Sequence, residues 1–158
     1  MFRELLLKNK EISYSECIEL LVKENRGVLS VNGDNDYPYA MPMNHYYNSE
    51  DWCIYFHCSK KGNRIDSVRV NDKACFCVVE DGVAIDGDWG LTVRSVIVFG
   101  KVEIIEDISI ISDITYKLSC KFTDDEEYIQ NEISRFADVT ALLKLTPQNI
   151  CGKRVKES

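Results

Sequence analysis

Residues 54–66 read IYFHCSKKGNRID, a stretch in which an apolar strand runs into a histidine and then into a basic, glycine-containing turn. Unpaired amide groups and the positive end of the helix dipole meet where a helix begins, and Lys60, Lys61 and Arg64 add full positive charges there. A solvated polar loop is the ordinary interpretation of such a turn in isolation. The flanking segments favour the other interpretation, which is a site that holds a phosphate group.

A strand-like segment with two prolines lies upstream of this turn. Residues 27–31 (GVLSV) form a short apolar run, residues 32–36 (NGDND) are turn formers, and residues 37–47 read YPYAMPMNHYY. Proline has no backbone donor, so Pro38 and Pro42 do not fit a central strand. We therefore expect an edge strand, or one that is interrupted where a bound heterocycle takes the backbone hydrogen bonds.

The remaining pattern predicts one α+β domain over residues 1–158, with a mostly antiparallel sheet. Residues 13–16 (SYSE) form a capping box for a first helix, which is expected to stop near Gly27 and to have Tyr14, Ile18, Leu21 and Val22 at helical spacing. Strands are expected at residues 27–31, 39–47, 52–57, 74–80, 93–105 and 139–145, with helices at 62–71 and within 108–136.

Three local features refine this prediction. Gly100 is expected to mark a bulge in the long strand. Residues 123–126 (TDDE) offer a second capping box within the C-terminal helical region. Pro147 is expected to end the last strand, which would leave residues 152–154 in a polar tail.

Composition and charge argue against several classes of protein. The net charge of −7 disfavours a nucleic-acid partner, because nucleic-acid binding depends on clustered Lys and Arg. No run approaches the roughly 20 apolar residues that span a bilayer, and the first residues do not form a signal peptide. We therefore expect a cytoplasmic protein without a membrane partner.

The cysteines follow no regular spacing, which gives neither a disulfide framework nor a zinc pattern, so no metal site is expected. The favoured interpretation is small buried hydrophobes in a reducing compartment. A metal or redox site that uses Cys58 beside His57 is the alternative. The seven positions are Cys17, Cys53, Cys58, Cys75, Cys77, Cys120 and Cys151.

The order of these segments, completed by residues 94–102 (RSVIVFGKV), resembles the flavin-binding split-barrel family. Within that family the chain is similar to the nitroimidazole-reductase (Nim-type) branch of the pyridoxamine 5′-phosphate oxidase-like proteins. The resemblance implies an α+β fold with a mostly antiparallel, six-stranded split β-barrel and flanking helices. It also implies a homodimer with FMN as the cofactor.

The resemblance assigns cofactor-binding positions as well. Arg64 matches the residue that binds the FMN phosphate, with Ser59, Lys61 and Asn63 as helpers. The strand that packs against the flavin ring corresponds to Met41, Pro42, Met43 and Asn44. The alternative for both methionines is that they are ordinary core residues. Arg94 and Ser95 match a segment that approaches FMN near the dimer interface.

His57 is the candidate catalytic residue. Imidazole titrates near neutrality, so beside a flavin it could donate a proton to a substrate that receives electrons, and the matching histidine of the family faces the substrate side. The alternative is that His57 only forms a hydrogen bond with the phosphate turn or with a nearby carbonyl. His45, the other histidine, is interpreted as a strand-surface residue.

The implied function is an FMN-dependent oxidoreductase that reduces a small electron-poor organic substrate, such as a nitro compound, with NAD(P)H as the electron donor. No glycine motif for dinucleotide binding is present, so the nicotinamide would bind transiently over the flavin. A flavin carrier or sensor without turnover is the alternative. Pyridoxamine 5′-phosphate oxidase itself is disfavoured, because residues 145–150 (LTPQNI) replace its substrate segment. Haem binding through His57 or His45 is a further alternative.

Overall fold

The computed structural model describes residues 2–84, 86–87 and 89–157, and an antiparallel sheet of eight strands organises this part of the chain. The strands are β1 (Arg26–Asn32), β2 (Pro38–Asn44), β3 (Tyr46–Asn48), β4 (Cys53–Ser59), β5 (Lys73–Val79), β6 (Val83–Ala84), β7 (Leu91–Ile105) and β8 (Thr140–Lys156). The helices are α1 (Tyr14–Lys23), α2 (Asn63–Val70), α3 (Ile108–Ser119) and α4 (Glu126–Phe136).

The sheet curls back on itself. Its strand order is β2-β1-β5-β7-β8-β4-β3, with β6 beside β7, so β2 and β3 form the two edges. Only His45 separates these edge strands in sequence, which forces the two edges to meet. Apart from the short β3 and β6, six strands remain, and the predicted α+β split barrel is confirmed. The prolines of β2 lie on an edge strand, as expected.

The core lies inside this curl. Alternate residues of the strands point inward, so each strand contributes a row of apolar side chains. The rings of Phe56 and Phe76 meet edge to face at 4.9 Å between centroids in the middle of the core. Other fully buried members are Leu20, Leu21, Leu29, Ile54, Ile65, Val96, Val98, Leu143 and Leu145.

Helix α1 begins with the predicted capping box. The amide of Glu16 donates to Ser13 Oγ, and the amide of Ser13 donates to the Glu16 carboxylate. The helix buries Cys17, Leu20 and Leu21, whereas Tyr14 and Val22 are exposed. The sequence pattern therefore located the helix but placed its buried stripe partly on the wrong face.

Strand β8 is much longer than predicted. Pro147 lies opposite Gly100, where the register between β7 and β8 shifts, so its missing donor falls at a point where the ladder is already irregular. The irregularity expected at Gly100 is confirmed, but Pro147 does not end the strand. Residues 152–154 are not a polar tail: Gly152 pairs with Val96 and packs so tightly on Ile12 that a Cβ atom would not fit.

The C-terminal helical region forms a hairpin of α3 and α4. Asp125 caps α4 by accepting from the amide of Tyr128, so the capping box expected from Thr123 is wrong, and Thr123 Oγ1 instead accepts from the amide of Asp125. In the turn, Lys121 Nζ donates to the carbonyl oxygen of Glu24 at 2.7 Å. Among the described residues, no helix is long and apolar enough to cross a membrane.

The seven cysteines are all free thiols, but they are not all buried. Cys17, Cys53 and Cys58 are buried, as predicted. Cys120 is exposed. The remaining three are half-buried, because Cys75 and Cys77 lie on the outward face of β5 and Cys151 on that of β8. Burial as small hydrophobes is therefore wrong for these four.

Candidate functional site

The turn between β4 and α2 forms a small pocket. Gly62 precedes α2 with φ of +113°, a conformation that glycine adopts easily, and no side chain caps the helix start. The amide of Ile65 donates to the carbonyl oxygen of Gly62, so the amide groups of Asn63 and Arg64 are the ones that a ligand could use. The pocket has a volume of about 240 Å³, and its lining consists of Tyr39, Cys58, Ser59, Lys61, Gly62, Asn63 and Arg64.

Arg64 is held in this pocket without a counterion. Its Nε donates to Met41 Sδ at 3.1 Å, and its guanidinium also reaches the thiol of Cys58. In the described part of the chain, Arg64 has no carboxylate within salt-bridge distance. A half-buried positive charge that rests on two sulfur atoms fits an anionic group, because an unpaired charge gains most from an opposite charge.

The other predicted phosphate ligands converge on the same pocket. Ser59 Oγ accepts from the amide of Lys61 at 3.3 Å, which shapes the turn. Lys61 is exposed, so its ammonium group is free to swing over the pocket. Asn63 Oδ1 accepts from Ser67 Oγ at 3.0 Å, which leaves its side-chain NH₂ group as a donor. The structure thus brings together all four residues that the sequence grouped at this turn.

His57 lies beside this pocket, in a second and larger cleft. The cleft has a volume of about 570 Å³ and shares Cys58, Ser59 and Arg64 with the pocket, so the two lie side by side. Partial burial and the nearby charge of Arg64 lower the pKa of His57, which keeps its imidazole neutral at pH 7. The other residues of the lining are Thr115, Ser119, Tyr128, Glu132, Phe136, Val139 and Thr140.

The predicted flavin-ring segment lies on the edge strand β2. Met41 and Met43 lie on the same face of β2 and are both buried in the core, whereas Pro42 lies on the other face and points outward. Asn44 Oδ1 accepts from Arg26 Nε at 3.0 Å. The methionines are therefore core residues, and Met41 is linked to the pocket through the hydrogen bond from Arg64 to its sulfur.

Arg94 and Ser95 lie elsewhere on the same chain and line neither the pocket nor the cleft. Arg94 grips the buried carboxylate of Glu80 through two hydrogen bonds, with Nε to Oε1 at 3.0 Å and Nη2 to Oε2 at 2.9 Å. These hydrogen bonds lower the pKa of Glu80. Ser95 faces outward on β7, beside Val79 of β5.

His45 is completely buried, so its interpretation as a surface residue is wrong. The strand that was expected to run through it breaks at this residue, and its ring turns into the core against Phe76, at 4.9 Å between centroids. Burial lowers its pKa to about 4, while Nδ1 has no hydrogen-bond partner among the described residues. A buried, neutral imidazole of this kind is a structural group.

The helical wall of the cleft was not found from the sequence. Tyr128, Glu132 and Phe136 recur at four-residue spacing on α4, which places them on one face of the helix. The same spacing is typical of any amphipathic surface helix, so only the fold shows that this stripe lines the same cleft as His57.

Solved structures share this fold. A candidate 5-nitroimidazole antibiotic resistance protein from Bacteroides thetaiotaomicron superposes with a TM-score of 0.76 and 18% identity, over 93% of this chain and 87% of that one. A conserved hypothetical protein from Mycobacterium tuberculosis superposes with a TM-score of 0.80 and 13% identity, over 96% of this chain and 90% of that one. A FAD-binding protein from Mesorhizobium loti superposes with a TM-score of 0.66 and 20% identity, over 92% of this chain and 97% of that one.

Sequence comparison gives the family. No curated protein matches the chain. The sequence profile described as pyridoxamine 5′-phosphate oxidase, however, matches residues 13–154, which include every strand except the last two residues of β8 and every residue of the pocket and cleft. The predicted family is confirmed: the chain belongs to the pyridoxamine 5′-phosphate oxidase family.

Proposed function

We propose that this protein is an FMN-dependent oxidoreductase that reduces a small electron-poor organic molecule, such as a nitro compound, with NAD(P)H as the donor. The observation that carries the proposal is the uncompensated charge of Arg64 in a pocket that shares three lining residues with the His57 cleft. The FAD-binding and nitroimidazole-resistance proteins of the same fold support this choice of chemistry.

The sizes of the two cavities fit a cofactor with a phosphate at one end and a ring system at the other. The pocket of about 240 Å³ suits a phosphate group and is too small for a whole flavin nucleotide. The cleft of about 570 Å³ has room for a flat ring. FMN carries a single phosphate, which matches one pocket with Arg64, Lys61 and the open start of α2.

FMN, when bound, supplies the electron-transfer chemistry of the reaction. The residues of the chain bind the cofactor, orient the substrate and protonate it. Arg64 holds the phosphate and is itself held by Met41. His57 offers an N–H group inside the cleft for a hydrogen bond to a substrate. Its protonated form, which is the minor form at pH 7, can deliver a proton as the substrate gains electrons.

The protein is proposed to act as a homodimer. Strand register places an outward row of residues across five neighbouring strands, and the members of this row are Pro42, Val28, Cys77, Ile97 and Cys151. Each of them is half-buried or exposed. A second copy of the chain would cover this apolar row, and Ser95 shares the same outward face of β7, so it would enter the interface.

The test is to purify the protein, record its absorbance spectrum and add FMN to saturation. One FMN per chain, followed by NAD(P)H-dependent reduction of a nitroaromatic acceptor, would support the proposal. Bound FMN without turnover for either nicotinamide would favour the carrier or sensor. Failure to bind FMN at all would refute the proposal.

A further inference from the structure

We infer that Glu132 makes the cleft selective for flat ring compounds that carry a positive charge or an N–H donor. This inference rests on the proposed function, because it concerns the substrate that would occupy the His57 cleft. It depends on one stripe of α4 and on the balance of charge around that stripe.

The stripe presents a carboxylate between two aromatic rings. Tyr128, Glu132 and Phe136 all line the cleft that also contains His57. Tyr128 is 58% exposed and Phe136 is 42% exposed, so both rings are open to a ligand. Arg135 stacks on Phe136 with its guanidinium carbon 5.0 Å from the ring centre, but it does not line the cleft. A flat ring can therefore pack on aromatic groups and still reach the Glu132 carboxylate.

The charge balance of the cleft becomes negative once the phosphate pocket is filled. Of the described residues that line the cleft, Arg64 and Glu132 carry the formal charges, because His57 is neutral at pH 7. Glu132 forms no ion pair within the described part of the chain, and its side chain is half-buried. A phosphate bound to Arg64 would neutralise that cation, so the unpaired carboxylate would then dominate the field that a second ligand meets.

The test compares the binding of three naphthalene probes with substituents of positive, zero and negative charge: 2-naphthylmethylamine, 2-naphthalenemethanol and 2-naphthylacetate. The amine and the acetate are charged at pH 7, and all three probes attach the polar group through one methylene group. Their dissociation constants are measured by calorimetry at pH 7, for the protein with and without saturating FMN. None of the probes is reducible under these conditions, so the result does not depend on turnover. Glu132→Gln removes the charge but keeps the shape, and Glu127→Gln removes an exposed carboxylate of α4 that does not line the cleft.

With FMN bound, the parent is expected to bind the amine about fivefold to tenfold more tightly than the alcohol and to bind naphthylacetate most weakly. Glu132→Gln should abolish this ranking, while Glu127→Gln should retain it. An unchanged ranking in Glu132→Gln, or no preference for the amine in the parent, would overturn the inference. If the protein bound no FMN, the proposed function would fail. A charge ranking that still depended on Glu132 when inorganic phosphate, instead of FMN, saturated the Arg64 pocket would uphold the inference.

Discussion

The imidazole Nε2 of His45 lies 2.8 Å from the backbone carbonyl oxygen of Leu21, so a fully buried histidine joins the meeting point of the sheet edges to helix α1. The ring donates this hydrogen bond through Nε2–H, which leaves Nδ1 as the site that would have to accept a proton. Because Nδ1 is buried and has no hydrogen-bond partner in the part of the chain that the structure describes, protonation is unfavourable in the folded state.

The buried position of His45 predicts that the folded protein loses stability in acid. The pKa of His45 falls from 6.5 to about 4 on folding, so between these values the unfolded chain binds more protons and the free energy of unfolding decreases as the pH decreases. The loss should begin near pH 6.5, approach about 1.4 kcal/mol per pH unit and total about 3 kcal/mol by pH 4. Urea unfolding at pH 7, 6 and 5 measures it.

The variant His45→Gln should lose this slope between pH 7 and 5, even if it is less stable overall. His57→Gln is the matched control, since the chain has only two histidines, and it should retain most of the slope. Equal slopes in the parent and in His45→Gln would show that His45 is protonated at no cost.

Replacement of Arg64 by Ala should weaken FMN binding. The variant loses a charge-assisted contact with the phosphate, so the dissociation constant should rise about tenfold to a hundredfold. Fluorescence titration of FMN measures it. Arg69→Ala is the control, because Arg69 is exposed at the other end of α2 and pairs only loosely with Asp66, at 3.7 Å. An unchanged affinity in Arg64→Ala would remove Arg64 from the site.

Replacement of His57 by Ala should leave FMN bound but lower the rate of substrate reduction about 10²-fold. Reduction of the bound FMN by NAD(P)H should stay close to normal, because that step does not use the imidazole. Stopped-flow measurement of the two half-reactions separates them. Transfer to a nitroaromatic acceptor at the parental rate would make His57 a structural residue.

The rate of substrate reduction should also depend on pH. Protonated His57 is the stronger acid, and its pKa lies below 6.5, so the rate of substrate reduction should fall as the pH rises through that pKa. The rate in His57→Ala should show no such fall. A parental profile that is flat from pH 5 to 8 would contradict a role for His57 as proton donor.

The proposed dimer can be tested at the middle of the outward row. Ile97→Asp places a charge in the proposed interface, so it should convert the dimer into a monomer and weaken FMN binding at the same time. Light scattering measures the mass. Val70→Asp, on an 88% exposed position of α2, should change neither. A monomeric parent protein saturated with FMN would rule the dimer out.

The sequence predicted those parts of the fold that depend on local chemistry. The capping box at Ser13, the start of α2 at Gly62 and the irregularity at Gly100 follow from cap and glycine rules, and all three are present. Pro147 misled the prediction for a nonlocal reason. A proline ends a strand only where its partner strand needs a donor, and the register shift opposite Gly100 cannot be seen in one segment alone.

In the candidate site, too, some residues could be predicted from the sequence and others could not. The residues of one continuous turn, from Ser59 to Arg64, were grouped from sequence because neighbours in the chain stay neighbours in space. His45 and Glu132 could not be placed, since the first depends on where two sheet edges meet and the second on how the helical hairpin folds back over β4. Their local patterns are those of an ordinary strand residue and an ordinary surface helix.

The contact between Arg64 and Met41 has a consequence for folding. Met41 belongs to one edge strand and Arg64 follows β4, the neighbour of the other edge, so the pocket straddles the seam where the curled sheet closes. A ligand that touches both sides can bind only after closure, and mass action then makes the ligand stabilise the closed seam. Binding of the proposed phosphate and closure of the barrel are therefore thermodynamically coupled, and among the strands the ligand-free chain should exchange amide hydrogens fastest along β2.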